Sequence, residues 1–131
     1  MSKYMIDTSI WIDYFAERNP ELNDKIDDLL DENKIYINGI IISEILYGVK
    51  TENNYLDLKN YLDGLNYVET DKALFDKVGY YGFVMKKNGL TIPLSDLIIA
   101  TQCVENSLTL FEKDKHYVMF GKLFDLKRFL L

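Results

Sequence analysis

The sequence is short of the residues that several kinds of chemistry need. It has one cysteine and one histidine among 131 residues. Cys103 has no partner for an internal disulfide, which fits a reducing cytoplasm. A zinc site of His and Cys needs more such ligands than this chain offers. A Ser–His–acid triad would have to use His116, and no serine sits in a G-x-S-x-G turn. The seven glycines form no phosphate-cradling loop of the P-loop or dinucleotide type. Apolar runs are only a few residues long, as in "GIII" and "LIIA", so no membrane-spanning helix is expected. The opening "MSKYMIDTS" lacks a basic stretch followed by a long apolar one, so no signal peptide is expected either.

Basic charge is also scarce. The net charge is −6, which argues against a domain that simply coats nucleic acid. The deficit is uneven. Residues 1–70 hold 14 acids and 6 bases (net −8), and residues 71–131 hold 7 acids and 9 bases (net +2). An acidic chain can still engage phosphate if carboxylates hold a cation beside a basic rim. Apolar residues make up 48% of the chain, enough for a core, and the length suits one domain.

The apolar pattern alternates between strand and helix. Residues 3–6 read as a strand and 9–17 as a helix, capped by Thr8 or Ser9. In "NPELNDKIDDLLDE", Asn19 suits a cap, Pro20 the first helical position and Glu21 the first turn. "IYIN" (35–38) reads as a strand and residues 40–49 as a helix ending near Gly48. A helix follows in "NNYLDLKNYLDGL", with Tyr55, Leu58, Tyr61, Leu62 and Leu65 on one face. "NYVE" is a candidate strand. The long helix "DKALFDKVGYYGFVMKKNG" stops at Asn88-Gly89. Then come the helix "SDLIIATQCVENS", the strand "LTLF" (108–111), a short helix in "KDKHYVMF" and a final strand near the C-terminus. This alternation implies a parallel sheet covered on both faces.

In such a sheet, ligands sit beyond the carboxyl ends of the strands. Asp7 ends the first strand, and Asp114 follows "LTLF" by three residues. Glu44 lies on the helix after "IYIN", and Asp96 in the first turn of "SDLIIATQ". Taken singly, Asp7, Asp96 and Asp114 suit helix caps or first turns. Glu44 falls on the wheel between Ile40, Ile41 and Gly48, a face expected to be covered, where a lone carboxylate is costly. Taken together, four acids can meet at one sheet edge. Two carboxylates about 4 Å apart repel by roughly 4 kcal/mol at an effective dielectric of about 20. A cation would offset that repulsion, and oxygen-only ligands select Mg²⁺ or Mn²⁺. Such a site activates water against a phosphodiester.

Four stretches carry these acids: "MIDTSIWIDYF", "IIISEILYGV", "IPLSDLIIATQC" and "LTLFEKDKHY". In order and separation they resemble a PIN-domain ribonuclease, and specifically the VapC-type toxins of toxin–antitoxin modules. They look like that family's opening Asp-Thr/Ser-Ser segment, its E-x-x-x-G helix, its P-x-x-D-x-x-I-A segment and its closing T-L-x-T-x-D-x-x-F. The resemblance implies one PIN-like domain over residues 1–131, with an α/β/α fold around a mainly parallel sheet. It implies a Mg²⁺- or Mn²⁺-dependent endoribonuclease, with transfer RNA as the usual target class and a 5′-phosphate on the product. It implies catalytic acids at Asp7, Glu44, Asp96 and Asp114, with Asp7, Asp96 and Asp114 on the metal. Thr8 and Ser9 match the hydroxyl residues beside the first acid, and one of them is expected to bond a carboxylate. A homodimer and a cognate antitoxin that covers the site are implied as well.

Two positions depart from the family pattern. Glu112 stands where Thr or Ser is usual, either beside the metal or pointing outward. His116 stands at a variable position and is expected to be structural or at the rim. Lys86, Lys87, Lys113 and Lys115 are candidates for the RNA backbone. Trp11, Tyr14 and Phe15 divide between core and partner surface. Two other readings compete. One is a different Mg²⁺-dependent phosphate hydrolase, disfavoured because Asp7-Thr8-Ser9 lacks the Asp-x-Asp of a phosphoryl-transfer nucleophile. The other is a non-catalytic or receiver-like α/β interaction domain whose acids are caps.

Overall fold

A computed structural model describes residues 2–131. Strand β1 (Tyr4–Ile6) leads into α1 (Thr8–Ala16) and α2 (Pro20–Asp31). Next come β2 (Ile35–Ile37), α3 (Gly39–Tyr47), α4 (Glu52–Asp63) and the two-residue β3 (Asn66–Tyr67). The second half runs α5 (Lys72–Lys87), α6 (Leu94–Glu105), β4 (Thr109–Phe111), α7 (Lys115–Gly121) and β5 (Arg128–Phe129). The five strands form one sheet in the order β3-β2-β1-β4-β5, and every pairing is parallel.

Parallel strands need crossovers, and the helices that supply them cover both faces of the sheet in an α/β/α sandwich. The strand residues show it. Met5 and Ile6 are successive, so they point to opposite faces, yet both are fully buried, and so are Leu110 and Phe111. From β1 the chain winds one way through β2 and β3, and the other way through β4 and β5. The direction of winding reverses between β1 and β4, where α/β folds open a crevice at the strand ends. Ile6 pairs with Phe111, and the Asp7 amide donates to the Phe111 carbonyl at 3.0 Å. The residues that follow both strands therefore emerge side by side at that crevice.

Local signals explain most boundaries. Asn19 accepts from the amides of Glu21 and Leu22, with Pro20 opening α2. Asp71 caps α5 through the Leu74 amide. Gly89, at φ 73°, takes the left-handed turn that ends α5. Helix α1 departs from expectation. It begins at Thr8, and Asp7 holds the cap position without a side-chain cap bond. Thr8 and Ser9 lie inside the helix, which frees their hydroxyls for other partners. On α4 only Leu62 is fully buried, while Tyr55 and Tyr61 stay partly exposed.

A buried polar network anchors the two helices nearest the crevice. Asn38 caps α3 by accepting from the Ile41 amide, and donates to Gln102 Oε1 at 2.7 Å. Gln102, on α6, donates in turn to the Glu69 carbonyl at 2.8 Å. Asn38 and Gln102 are both fully buried, so each bond replaces one lost to water. Helices α5 and α6 come close enough that a Cβ on Gly82 would lie 2.9 Å from Leu97 Cδ2. Cys103 is buried on α6, and burial pushes its thiol far above the ordinary range, which leaves it inert.

Candidate functional site

Strand β1 delivers Asp7 to the crevice, 7% exposed, with both carboxylate oxygens engaged by hydroxyls. Ser9 donates to Oδ2 at 3.0 Å, and Tyr117 donates to Oδ1 at 2.8 Å. Asp7 is therefore fixed by its neighbours and not by capping. Asp96 stands in the first turn of α6, where acids suit the helix dipole. Its Oδ1 lies 3.4 Å from the same Tyr117 hydroxyl, so one phenol spans Asp7 and Asp96. Asp114 does cap α7, accepting from the His116 amide at 2.9 Å.

His116 joins the remaining pair. Its Nδ1 is 2.8 Å from Asp96 Oδ2 and 3.2 Å from Asp114 Oδ1. Ligand atoms of Asp96, Asp114 and His116 all lie within 4.8 Å of one another, a group able to hold a metal ion. His116 is thus in the pocket and not at a rim. Tyr117 was not expected there at all. It stands where the closing motif has Phe, and its ring is fully buried while its hydroxyl reaches the acids. Burial first, then the charges of Asp7 and Asp96, push that phenol far up, so it remains a proton donor.

Glu44 corrects an expectation. It is exposed, not covered, because it lies on the open side of α3. It has a partner nonetheless. Thr8 Oγ1 donates to Glu44 Oε1 at 2.7 Å, which ties α3 to the residue after Asp7. Both hydroxyl residues of the opening segment therefore bond a carboxylate, Ser9 that of Asp7 and Thr8 that of Glu44. Glu112 is buried at 1% exposure and faces β5. Arg128 Nε donates to its Oε1 at 2.8 Å, while its Oε2 accepts the Asp114 amide at 2.7 Å. It braces the loop that presents Asp114 and leaves the acid group free of a further carboxylate.

The candidate lysines lie on three segments, and only Lys113 and Lys115 flank Asp114 in the chain. Lys113 pairs with Asp13 of α1. Lys115 opens α7, and Lys86 and Lys87 close α5, all three exposed. Trp11 is fully buried against Phe15, whose ring stacks on it and remains partly exposed.

The pocket's donors fit a hard divalent cation. They are carboxylate oxygens with one imidazole nitrogen. Burial raises the Asp96 carboxyl above its ordinary range. The His116 bond works against that rise, and the charges of Asp7 and Asp114 add to it. A bound cation would remove that mutual repulsion.

Similarity to known proteins runs along most of the chain. The PIN domain family pattern matches residues 4–123. Ribonuclease VapC2 of Rickettsia felis is 31% identical over 116 residues, which cover 82% of this chain and 83% of that one. The crystal structure of VapBC2 from Rickettsia felis, bound to a DNA fragment from its promoter, superposes with a TM-score of 0.82 at 21% identity, covering 98% of each chain. DNA-bound VapBC from Salmonella typhimurium gives a TM-score of 0.82 at 18% identity, over 99% of this chain and 98% of that one.

Proposed function

The chain belongs to the PIN-domain family and to its VapC-type ribonucleases, and from that premise we propose that it is a divalent-metal-dependent endoribonuclease. In this reading it is the toxin of a toxin–antitoxin pair, acting as one nuclease domain over residues 1–131. The observation that carries the reading is the convergence of Asp7, Asp96 and Asp114, from three distant elements, where the winding of the sheet reverses.

Asp7, Asp96 and Asp114 would hold Mg²⁺ or Mn²⁺, with Glu44 completing the set from the edge of the crevice. The cation, when bound, supplies Lewis-acid stabilisation of the phosphoryl oxygens and a lower pKa for water. The protein does the rest. Ser9 and Tyr117 keep Asp7 in one orientation, so it need not reorganise during reaction. Glu44, oriented by Thr8, and Asp114 orient the attacking water and accept its proton. In-line attack by that water leaves a 5′-phosphate on one product and a 3′-hydroxyl on the other. Lys86, Lys87, Lys113 and Lys115 offer the basic rim that an RNA backbone needs. Transfer RNA is the proposed substrate class.

The partner surfaces follow from exposed aromatics. An open groove of about 540 Å³, bordered by Phe15, Val49, Asn54 and Leu58, suits an apolar segment of an antitoxin. A similar solved structure is a toxin–antitoxin complex from Klebsiella pneumoniae, which supports this. A second groove of about 610 Å³ runs between α5 and α6, where Phe75, Phe83 and Leu94 are exposed. We assign it to a homodimer contact. Among the described residues no helix is long and apolar enough to cross a membrane. With a single buried thiol, the cytoplasm is the proposed location.

A non-catalytic reading makes the acids helix caps. Asp7 argues against it, since its carboxylate caps nothing. The test is growth arrest on expression in a bacterial host. Asp7→Asn and Asp96→Asn should each relieve it while the purified variants keep the wild-type fold. Arrest that persists in both folded variants would contradict the nuclease reading.

A further inference from the structure

His116 is the only nitrogen donor among the acids and the only histidine in the chain. We propose that His116 is itself a ligand of the cation, through Nδ1, and that its ring biases the site toward Mn²⁺ over Mg²⁺. This rests on the metal reading above and names a residue that the four-acid set does not contain.

The spacing supports it. Two ligands at right angles on one ion, each bonded at about 2.1 Å, lie about 3 Å apart. His116 Nδ1 stands at 2.8 Å from Asp96 Oδ2 and 3.2 Å from Asp114 Oδ1. Those two separations match edges of a coordination polyhedron, and the three groups offer ligand atoms that all lie within 4.8 Å of one another. The ring is also held in place. The His116 amide donates to Asp114 Oδ1 at 2.9 Å, which ties the two residues together at the start of α7. Tyr117 and Phe120, both fully buried, anchor that helix. The surrounding groups do not displace the ring. Glu112 turns both oxygens to Arg128 and the Asp114 amide, and Tyr117 can only donate to the carboxylates.

The ligand chemistry gives the selectivity. Mg²⁺ favours oxygen donors and retains its waters, whereas imidazole suits transition metals, whose affinities at a given site rise from Mn²⁺ onward. Exchanging one oxygen for nitrogen therefore penalises Mg²⁺ more than Mn²⁺. A ring that only hydrogen-bonds to Asp96 would have no such effect, because its nitrogen would not touch the metal.

Tag-free, metal-stripped full-length protein would be titrated with Mn²⁺ in competition with Mg²⁺, followed by electron paramagnetic resonance. The spin-echo spectrum of the Mn²⁺ form would be recorded with natural and ¹⁵N-labelled histidine. With a single histidine, a nitrogen coupling that changes on labelling can come from His116 alone, without a mutation. That coupling is expected in the wild type. In His116→Asn it should vanish, and the Mn²⁺:Mg²⁺ affinity ratio should fall about tenfold. His116→Asp, with an all-oxygen set, should keep Mg²⁺ binding and lose the preference. No histidine coupling in the wild type, or an unchanged ratio in a folded His116→Asn, would overturn the proposal. If folded wild type binds neither ion, or if Asp96→Asn binds both as well as wild type does, the metal reading itself fails and this inference goes with it.

Discussion

Asp96 is where the electrostatic cost of the pocket concentrates. Burial, together with the charges of Asp7 and Asp114, holds its carboxyl above the ordinary range, against the opposing pull of His116. A raised carboxyl pKa means the fold favours the neutral form. Below the unfolded value the group is protonated in both states and exacts nothing. As pH rises through the folded value, ionisation destabilises the native state. Asp96→Asn removes that penalty. In EDTA at neutral pH the variant should melt at or above the wild-type temperature. With Mn²⁺ added, wild type should gain stability and the variant should not. An Asn variant that melts lower in EDTA and still gains from Mn²⁺ would contradict this. The acids at strand ends were readable in the sequence, because topology alone sets where a strand end points. His116 and Tyr117 were not. Their direction depends on how α7 is seated, which Tyr117 and Phe120 packed into the core decide. Glu44 was misread as covered because its helical wheel is apolar around it, while α3 packs only part of that arc.

At the scale of elements, β5 braces the loop that carries Asp114. Arg128 reaches from β5 to the buried Glu112, and Glu112 holds the Asp114 amide. Arg128→Met would leave a buried carboxylate without its counter-charge and should lower stability by about 3 kcal/mol. Adding Glu112→Gln should recover most of that loss, since the pair is coupled. Urea midpoints of the two singles and the double close the cycle, and additive losses would rule the coupling out. The order and type of elements followed from strand-helix alternation and from caps such as Asn19 and Asp71. The start of α1 did not, because Thr8 and Ser9 look like caps but spend their hydroxyls on carboxylates. The Glu112–Arg128 pair was equally hidden, since nothing local marks the residue after β4 and one on β5 as partners.

At the scale of the molecule, net charge and exposed apolar surface bear on the proposed partners. The −6 charge opposes loose coating of RNA, so in the proposed function RNA binding rests on the cation and a local basic rim. The α5–α6 groove, with Phe83 more than half exposed, is the proposed contact between copies. Phe83→Asp should convert a dimer to a monomer in sedimentation, and a monomeric wild type at high concentration would refute the assignment. The domain's parallel sheet was legible from alternation, and its family from four spaced motifs. The all-parallel pairing and the winding reversal beside β1 became visible only in the folded chain. The most direct test is to incubate purified protein with labelled total RNA in Mg²⁺ or Mn²⁺, beside EDTA and Asp96→Asn controls. Discrete cuts that need both the metal and Asp96 are expected, and equal cutting in excess EDTA would contradict the central claim.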